Sequence, residues 1–474
     1  MRLLKHPLKY DANSAELFNR LSHKPWSILL DSGQPQSQYG RYDVMVADPF
    51  ITISSFEDVA EDNLDSDKRL RTEITQNGLT TISHEDPFAI LNRLLAPYQA
   101  TKNALPFCGG AVGYFAYDLA RQVERLPDLA LKNVTIPHMM VGIYDWAVLI
   151  DHREKTAVLV SHGFQQATHD HWQELCALFD GPSLMQPADF VITTPVSSNM
   201  TFKQYAAAFD AVKNYITEGD CYQVNLAQRF SAKAQGNAWT AYHKLREISP
   251  APFMAFLNFG RLQILSGSPE RFLQVLNRHV ETRPIKGTRP RSDDAALDQQ
   301  LAKDLQASVK DKAENLMIVD LLRNDISKSC EIGSVKADQL FQLQSFANVH
   351  HLVSIVTGTL QKTKTAIDLL RDCFPGGSIT GAPKLRSMQI IEALEPHRRG
   401  VYCGAIGYIG FDGNMDTNIA IRTMVYSAGE DGEGEISFYA GGGIVADSVL
   451  EKEYDETLDK ASSMLKMVQF FKGK

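Results

Sequence analysis

A single lysine, Lys286, stands between an isoleucine and a glycine in the segment ETRPIKGTRPR, which opens with strand-forming residues and closes on Gly-Thr-Arg-Pro. Three roles are open to an amine in this setting: a solvated loop charge, a phosphate ligand or a nucleophile. Most lysines lie on protein surfaces, so the solvated charge is the default interpretation. A nucleophile requires neighbouring groups that keep the amine neutral.

Two predicted helices carry glutamates along faces that are otherwise apolar. In KDKAENLMIVDLLRNDI, Glu314 lies along an apolar stripe. In LEKEYDETLDKASSMLKMV, Glu453 and Glu456 flank such a stripe on neighbouring turns, and Lys460 follows one turn later. One interpretation is a solvated helix edge with an ordinary Glu456–Lys460 ion pair. The other is that three carboxylates from two helices supply oxygen ligands for one Mg²⁺, a hard cation that also binds anionic substrates.

Two glycine-rich segments resemble nucleotide-binding loops only in part. GGGIVA (441–446) has the letters of a dinucleotide fingerprint, but the remaining sequence offers no second strand and no ribose-binding acid, so we exclude that function. GGSITGAPK (376–384) has Gly-Ala-Pro-Lys where a P-loop needs Gly-Lys-Ser/Thr. Each segment could be a tight turn, or could present backbone N–H groups to a carboxylate.

The strands that must position these residues are clearest in the first part of the chain. VMVADPFITISSF (44–56) alternates like a strand. VGIYDWAVLIDHREKTAVLVSH (141–162) has two apolar runs around a charged turn, which predicts a hairpin. In that hairpin we expect Tyr144, Trp146 and Val148 to share one face.

The pattern of predicted elements changes near residue 190. Residues 1–190 are strand-rich, a Pro/Ser/Thr-rich connector is predicted at 181–200, and residues 191–474 form a second region. Adjacent strands outnumber alternating strand–helix units, so we predict an α+β fold that forms one compact unit. Helices are expected at 201–219, 294–326, 366–373, 383–394 and 449–470.

Bulk composition excludes several functions. The 474 residues are 44% hydrophobic and 22% charged, with a formal net charge of -8 and a pI near 5.9. No basic cluster suggests nucleic acid as a partner. No segment is apolar enough for a signal peptide or a membrane span, so we expect a cytoplasmic protein. The six cysteines are spread singly, which is typical of reduced thiols.

Eleven motifs occur in a fixed order along the chain: LPFCGGAVGYFAYDLAR, GDCYQVNLAQRF, SGSPERF, TRPIKGT, KDKAENLMIVDLLRNDI, VHHLVSIVTGTL, FPGGSITGAPK, CGAIGYIG, NIAIRT, GGGIVADS and EKEYDETLDKA. Together they resemble the chorismate-utilising enzymes. The resemblance covers nearly the whole chain and is densest from 200 to 470. It implies a fold like that of anthranilate synthase component I, with two large antiparallel or mixed β-sheets packed face to face, helices outside and the active site in the cleft between the sheets.

Two positions separate the reactions within this family. Isochorismate and salicylate synthases have a water-activating lysine where this chain has Gln223, so water addition is disfavoured. Enzymes that form anthranilate have an alanine where this chain has Lys286, whereas a lysine is typical of the enzymes that aminate chorismate at C4. The resemblance thus implies formation of 4-amino-4-deoxychorismate, on the 4-aminobenzoate branch of folate biosynthesis. Anthranilate formation and a catalytically silent chorismate-binding subunit are the alternatives.

The resemblance also implies the mechanism. The amine of Lys286 adds at C2 and expels the C4 hydroxyl, and ammonia then attacks C4 and expels the lysine, so two displacements restore the original face. An ordinary lysine, with a pKa of about 10.4, is almost fully protonated at pH 7, so desolvation and a nearby cation must lower the pKa of Lys286. Glu270, in SPERF, matches the general acid of the family.

The other site residues are carried over one by one from the family motifs. Glu314 and Glu456 are expected to hold Mg²⁺, with Glu453 in support through water, and the ion would bind the ring carboxylate of chorismate. Arg422 and Tyr402 match the residues that bind the enolpyruvyl carboxylate, for which the planar guanidinium is well suited.

The remaining assignments complete the substrate site. Lys460, Gly442 and Gly443 would complete the seat of the ring carboxylate, and His351, Ser378 and Thr288 would line the ring pocket. For His351, a core histidine bonded to the backbone is the alternative.

The source of ammonia is expected to lie on another chain. None of the six cysteines occupies a G-x-C-x-G nucleophile elbow, so we expect a separate glutamine amidotransferase subunit and a heterodimer. No lyase module follows, so the expected product is 4-amino-4-deoxychorismate itself. The segment LLDSG (29–33) departs from the LLES motif of the tryptophan pocket in anthranilate synthases, and the sequence does not decide whether an aromatic amino acid binds there.

Overall fold

The computed structural model describes residues 3–35, 40–57, 70–132, 136–181, 188–345, 349–430 and 432–473. Part of the expected connector, residues 182–187, lies outside the described residues.

Strands dominate the fold. In chain order they are β1 (Leu4–Leu8), β2 (Ser27–Asp31), β3 (Tyr42–Val46), β4 (Ile51–Glu57), β5 (Leu70–Gln76), β6 (Leu79–Ser83), β7 (Gly110–Phe115), β8 (Met139–Tyr144), β9 (Trp146–Asp151), β10 (Thr156–Ser161), β11 (Phe190–Ile192), β12 (Ser197–Ser198), β13 (Gln223–Gly236), β14 (Phe253–Asn258), β15 (Leu262–Ser268), β16 (Arg271–Leu276), β17 (His279–Thr282), β18 (Ile285–Pro290), β19 (Lys336–Ser345), β20 (Val349–Thr359), β21 (Gly381–Ala382), β22 (Ala405–Gly410), β23 (Met415–Ile419), β24 (Thr423–Ala428) and β25 (Glu433–Ile444).

These strands form two large sheets. Sheet 1 has the order β1-β10-β9-β3-β2-β14-β15-β24-β25-β13-β11, with β12 and β21 also paired to β13. Sheet 2 has the order β18-β20-β17-β16-β23-β22-β7-β8-β4-β5-β6, with β19 also paired to β20. The long central ladders are antiparallel; β13 and β25, for example, pair from Val224 and Ile444 to Gln235 and Glu433.

Helices follow the same chain order. They are α1 (Ser14–Phe18), α2 (Pro87–Leu95), α3 (Gln166–Asp170), α4 (Trp172–Asp180), α5 (Phe202–Thr217), α6 (Ala238–Ile248), α7 (Ala295–Ala307), α8 (Val309–Ser327), α9 (Ala366–Cys373), α10 (Lys384–Leu394) and α11 (Leu450–Phe470), with single 3₁₀ segments at Tyr117–Gln122 and Gly377–Ile379.

Buried apolar side chains show how the layers pack. One core lies between the sheets and joins Ile28 of sheet 1 to Tyr144 of sheet 2. A second core packs α6 and α11 on sheet 1, with Trp239 fully buried. A third packs α2, α8 and α9 on sheet 2, with Val319 of α8 among its members. The predicted α+β fold, with sheets face to face and helices outside, is confirmed.

Two predicted strand runs are wrong in their extent, and for the same reason. Residues 44–56 are not one strand but β3 in sheet 1 and β4 in sheet 2, with a turn at Asp48, whose φ is 54°. The hairpin predicted at 141–162 is confirmed, because β9 and β10 pair antiparallel from Asp151 and Thr156 onward. Its first apolar run, however, also contains the end of β8, which belongs to sheet 2. Tyr144 therefore lies in the core between the sheets, whereas Trp146 contributes to the outer core of sheet 1.

Helix ends agree with their local sequence. Thr201 accepts a hydrogen bond from the backbone N–H of Gln204 at the start of α5, in a capping box, and Gly219 follows the helix with a φ of 83°. The helix expected at 294–326 is two helices, because Ser308 ends α7 and caps α8 through the backbone N–H of Asp311.

Both sheets combine strands from before and after residue 190. In sheet 1, β2 pairs with β14, so that Leu29 lies opposite Phe256. The division at residue 190 stays a prediction. No helix in the described ranges is long and apolar enough to cross a membrane, and a cytoplasmic location also stays a prediction. All six cysteines are free and buried.

Candidate active site

Lys286 lies on β18 where the strand is irregular. The register between β18 and β20 shifts between Ile285 and Thr288, and Gly287 within this shift has a φ of 80°. Such a bulge redirects the neighbouring side chain out of the regular ladder. The half-buried Lys286 places its Nζ 3.4 Å from the carbonyl oxygen of Ser378, on the loop that follows α9.

The environment of Lys286 favours the neutral amine. Burial lowers the pKa of Lys286, and the positive charge of Lys460 lowers it further. The carboxylates of Glu270, Glu314 and Glu456 act in the opposite direction but do not outweigh these effects. A larger fraction of this amine is therefore neutral near pH 7 than in an exposed lysine, as a nucleophile requires.

Glu270 lies in the short connection between β15 and β16, which carries the chain from sheet 1 to sheet 2. Its side chain is buried and its Oε1 accepts a hydrogen bond of 2.8 Å from the hydroxyl of Ser378. Burial raises the pKa of Glu270, although the Ser378 hydrogen bond and the charge of Lys286 oppose the rise. A carboxyl group with a raised pKa keeps its proton to a higher pH, which suits a general acid.

His351 and Thr288 lie on the same two paired strands, β20 and β18. The hydroxyl of Thr288 is 2.9 Å from Nδ1 of His351. Burial, and then the positive charge of Arg422, lowers the pKa of His351 to about 4, while a hydrogen bond with the backbone of Gly287 acts to raise it. His351 is thus a buried, neutral histidine that is hydrogen-bonded to the two residues that follow Lys286.

Arg422 occupies the connection between β23 of sheet 2 and β24 of sheet 1. Its φ is 50°, in the left-handed region that non-glycine residues seldom adopt. Burial lowers the pKa of Arg422, and Glu270 is the charge that opposes this effect. The guanidinium makes no hydrogen bond or ion pair with any residue in the described ranges. A desolvated guanidinium without a partner is a strong site for a carboxylate.

Tyr402 lies close to this region but has other contacts. Its ring stacks on Tyr439 with 5.2 Å between centroids, and the guanidinium carbon of Arg399 lies 5.6 Å from the Tyr402 centroid. No hydrogen bond within the described residues joins Tyr402 to Arg422. Its expected contact with a substrate carboxylate stays a prediction.

The three expected metal ligands lie on α8 and α11. Glu453 is buried and accepts a 2.6 Å hydrogen bond from the hydroxyl of Ser448, whereas Glu456 is half-exposed and lies 2.6 Å from Nζ of Lys460. Burial raises the pKa of Glu314, and so does the charge of Glu453. Burial also acts to raise the pKa of Glu456, but Lys460 outweighs it and leaves that pKa lowered.

Gly442 allows two of these carboxylates to approach β25. A Cβ at Gly442 would lie 3.1 Å from Oε2 of Glu453 and 3.5 Å from Oε1 of Glu456. Lys460 reaches the same strand, with its Nζ 3.0 Å from the carbonyl oxygen of Gly441. The structure therefore brings together the helix α11 carboxylates, Lys460 and the glycine-rich end of β25.

Gln223 begins β13 next to the same glycines. Its side chain is buried, and its Nε2 has no hydrogen-bond partner among the residues that the structure describes. A Cβ at Gly443 would lie 2.8 Å from this nitrogen. Buried amide donors are rarely left unpaired in folded proteins, so Gln223 Nε2 is a candidate donor to a bound ligand.

The carboxylates of Glu314, Glu453 and Glu456 suit a hard cation by their chemistry, because all three supply oxygen ligands. Glu453 acts to raise the pKa of Glu314, and Glu456 acts to raise the pKa of Glu453. Nevertheless, within the described residues no group of three or more acidic, histidine or cysteine side chains already forms a closed metal-binding set. A bound anion would have to supply further ligands.

A cavity of about 660 Å³ lies beside the site and does not include it. It extends from Leu30, Asp31 and Ser32, in the LLDSG segment, to Ile285, the neighbour of Lys286. None of the candidate site residues lines it. Its volume is within the range of small-molecule sites.

Sequence analysis missed the residues that hold the loop of Ser378. Lys384 was noted only as a departure from a P-loop, yet its Nζ lies 2.6 Å from Oδ2 of the buried Asp325. Arg399 and Glu395 form a second buried ion pair near Ile379. A lysine directly after Gly-Ala-Pro and an aspartate within an apolar helix were the available signals.

Comparison with known proteins gives this arrangement a family. A family model described as chorismate binding enzyme matches residues 30–466. The chain belongs to this family, so the resemblance noted in the motifs is confirmed.

Individual relatives are more specific. Aminodeoxychorismate synthase component 1 of Escherichia coli strain K12 is 46% identical over 455 residues, which cover 95% of each chain. The protein of that name from Salmonella typhimurium strain LT2 is 44% identical over 462 residues, covering 97% of this chain and 96% of the relative. Among solved structures, anthranilate synthase component I from Streptococcus pneumoniae TIGR4 has a TM-score of 0.76 and 31% identity, covering 90% of this chain and 92% of that one.

Proposed function

We propose that this chain aminates chorismate at C4 with ammonia and releases 4-amino-4-deoxychorismate. The relatives with the highest identities above carry the name aminodeoxychorismate synthase component 1. The observation that carries the proposal is that Lys286 and Glu270 both contact Ser378, one through its carbonyl oxygen and the other through its hydroxyl. Burial shifts their pKa values in the directions that make the lysine a base and the glutamate an acid.

The first step uses both groups. The neutral amine of Lys286 forms a bond to C2 of chorismate while the C4–O bond breaks, and Glu270 donates a proton so that the hydroxyl leaves as water. The product of this step is a covalent adduct of chorismate minus water on the lysine.

The second step releases the enzyme. Ammonia forms a bond to C4, the C2–N bond to Lys286 breaks, and the lysine recovers its amine after proton transfer. Since each displacement reverses the face of attack, the amino group ends on the face that the hydroxyl left.

Substrate carboxylates would be held at two places. Arg422, whose guanidinium has no described partner, would bind the enolpyruvyl carboxylate in a bidentate manner. Lys460 and the end of β25 at Gly442 and Gly443 would receive the ring carboxylate, and Gln223 offers it a further donor. Charged hydrogen bonds from both sides would fix the ring over Lys286.

Glu314, Glu456 and Glu453 are the residues that would hold Mg²⁺ in this proposal. When bound, the ion supplies positive charge to the ring carboxylate and offsets the repulsion among the three glutamates. The support for this part is the raised pKa of Glu314 and Glu453 and the space that Gly442 leaves for two carboxylates.

The partner would be a glutamine amidotransferase that supplies ammonia. The component 1 naming of the relatives implies a second component. None of the six cysteines stands in a glutaminase nucleophile elbow, and all six are buried. We infer a cytoplasmic heterodimer in which the partner hydrolyses glutamine.

Anthranilate formation is the second candidate, because the similar structure from Streptococcus pneumoniae is an anthranilate synthase component I. Chromatography of products from chorismate, ammonium salt and Mg²⁺ distinguishes the two. We expect 4-amino-4-deoxychorismate. If anthranilate is the main product, the second candidate replaces the proposal. If chorismate is not consumed, the chain is a chorismate-binding subunit without catalytic activity.

A further inference from the structure

We propose that the buried ion pair of Asp325 and Lys384 is a positioning device that sets the separation of Glu270 and Lys286, an inference that rests on the proposed function. The pair joins the end of α8 to the start of α10, and the loop between α9 and α10 contains Ser378. Neither member of the pair contacts the candidate catalytic groups directly, so both act through the loop.

Lys384 holds the first part of this loop. Besides its ion pair of 2.6 Å with Asp325, its Nζ donates hydrogen bonds of 2.9 Å to the carbonyl oxygens of Cys373 and Pro375. The ammonium group thus holds two backbone carbonyls of the loop by hydrogen bonds and Asp325 by charge. The backbone just before Ser378 is fixed by one side chain.

The loop then packs directly on α8. A Cβ at Gly377 would lie 2.7 Å from Cδ2 of Leu321 and 3.4 Å from Oδ2 of Asp325. A side chain at this position would displace Leu321, so the glycine lets the backbone next to Ser378 rest on the helix that also carries Glu314. A shift of the loop requires a shift at the Asp325 end of α8.

A separate anchor holds the backbone after Ser378. The carbonyl oxygen of Ile379 accepts hydrogen bonds of 3.0 Å from Nη1 of Arg399 and from Nδ2 of Asn225. Ser378 is thus held between two anchors, and Lys384 controls the one on its N-terminal side. With that anchor lost, the residue can rotate about the other.

Ser378 contacts both candidate catalytic groups, so its position affects both of theirs. Its hydroxyl lies 2.8 Å from Oε1 of Glu270, and its carbonyl oxygen lies 3.4 Å from Nζ of Lys286. A buried ion pair contributes little net stability compared with apolar side chains of the same size. A role in positioning therefore explains the presence of this ion pair better than a contribution to stability does.

The test replaces Lys384 by methionine, an unbranched side chain one atom shorter, which removes the charge and the donors. We expect Lys384→Met to lower kcat by about 10- to 100-fold, because a displacement of about 1 Å has effects of that size. The KM for chorismate should change by less than about threefold, since the carboxylate contacts are elsewhere. The kcat of Lys384→Arg should be closer to that of the wild type than the kcat of Lys384→Met is.

The matched control is Lys364→Met. Lys364 pairs with Asp372 at 3.0 Å on the neighbouring helix α9 and contacts no site residue in the described ranges. This variant should keep the wild-type kcat. Asp325→Asn, which keeps its shape, is the second variant should Lys384→Met fail to fold.

A double-mutant cycle identifies the route. If Lys384 positions the Ser378 hydroxyl against Glu270, Lys384→Met should lower kcat less in a Ser378→Ala background, which keeps only the carbonyl contact to Lys286, than in the wild type. Equal losses in both backgrounds, an unchanged kcat, a rise in KM alone, or failure of both Lys384→Met and Asp325→Asn to fold would each overturn the proposal in favour of a structural role. Following chorismate consumption tests positioning whichever product forms, whereas product identity tests the proposed function.

Discussion

At the scale of single residues, one physical cause acts on the two candidate catalytic groups in opposite senses. Burial disfavours charge, so it lowers the pKa of Lys286 and raises the pKa of Glu270. Each group is thereby moved toward its neutral form. A nucleophilic amine and a proton donor are both neutral groups, so burial shifts both groups in the direction that their proposed roles require.

The first prediction concerns Lys286→Ala. The variant should lose about 10²-fold or more in formation of 4-amino-4-deoxychorismate, since the covalent route is closed. Chorismate binding should change by less than about threefold, because Arg422 and Lys460 remain. Steady-state kinetics and calorimetry measure both quantities, and Lys203→Ala, at an exposed lysine, is the control.

A further test of the proposed covalent route is to look for the adduct in wild type without ammonia. Intact-protein mass spectrometry should show an added mass of chorismate minus water on the peptide that contains Lys286. Because the pKa of this amine is lowered, the rate of adduct formation should reach half its maximum below about pH 10.4. Absence of the adduct, together with near wild-type turnover of Lys286→Ala, would show that Lys286 is only a solvated loop charge.

The second prediction concerns His351, whose pKa is lowered to about 4. In the unfolded chain its pKa is about 6.5, so the unfolded chain binds the proton more readily. The stability linked to neutral His351 is complete above about pH 6.5 and is lost as the pH falls toward about 4. The Tm of wild type should therefore fall more steeply between about pH 7 and about pH 5 than the Tm of His351→Gln.

The control for this titration is His23→Gln, at an exposed histidine. Its Tm should follow the wild-type curve over the same pH range. Parallel curves for wild type and His351→Gln would show that His351 is not held neutral in the folded protein.

Residue identities were more predictable than residue contacts. Lys286, Glu270 and Arg422 stand in local motifs, so their roles could be inferred from short segments. The ion pair of Asp325 and Lys384 could not be inferred, because it joins two helices that are distant in sequence. No local pattern reports which buried charges meet across a fold.

At the scale of elements, the connections between the sheets place the chemistry. Glu270 follows β15 of sheet 1 and precedes β16 of sheet 2, whereas Arg422 follows β23 of sheet 2 and precedes β24 of sheet 1. A connection that changes sheets must pass through the space between them. The candidate acid and the candidate carboxylate-binding residue therefore reach that space on two crossings in opposite directions.

The third prediction concerns helices α8 and α11, which carry the candidate metal ligands. Excess EDTA should abolish turnover, and added Mg²⁺ should restore it. Glu456→Gln should weaken both Mg²⁺ binding and chorismate binding by roughly 10-fold or more, measured by calorimetry. Glu451→Gln, at an exposed glutamate in the first turn of the same helix, should behave as wild type. Full turnover in EDTA would contradict the metal assignment.

Element boundaries were predictable where a cap marks them and not where both faces are buried. Thr201 and Gly219 bound α5 as expected. The residues around Asp48 and Asp145 connect strands of different sheets, but apolar residues continue on both sides, so alternation alone cannot show the change. The start of α8 could have been predicted from the capping pattern of Ser308 and Asp311, but this pattern lies within a longer helical sequence.

At the scale of the whole molecule, the fourth prediction concerns the second component. The purified chain should use ammonium salts at elevated pH but not glutamine, because ammonia must be neutral to attack C4. Addition of the cognate glutamine amidotransferase should confer glutamine use, and its nucleophilic cysteine variant should not. Hydrolysis of glutamine by the chain alone would contradict a two-component system.

The pairing of β2 with β14 has a consequence for synthesis on the ribosome. Leu29 meets Phe256, which is translated about 230 residues later. At about 5–20 residues per second, the nascent chain waits roughly 10–45 s for this partner. During that time β2 can pair with β3 but presents an open edge on its other side, with the side chains of Ile28 and Leu29 that the finished protein buries. Holding chaperones would have their main task in this interval, and fragments that end before β14 should aggregate.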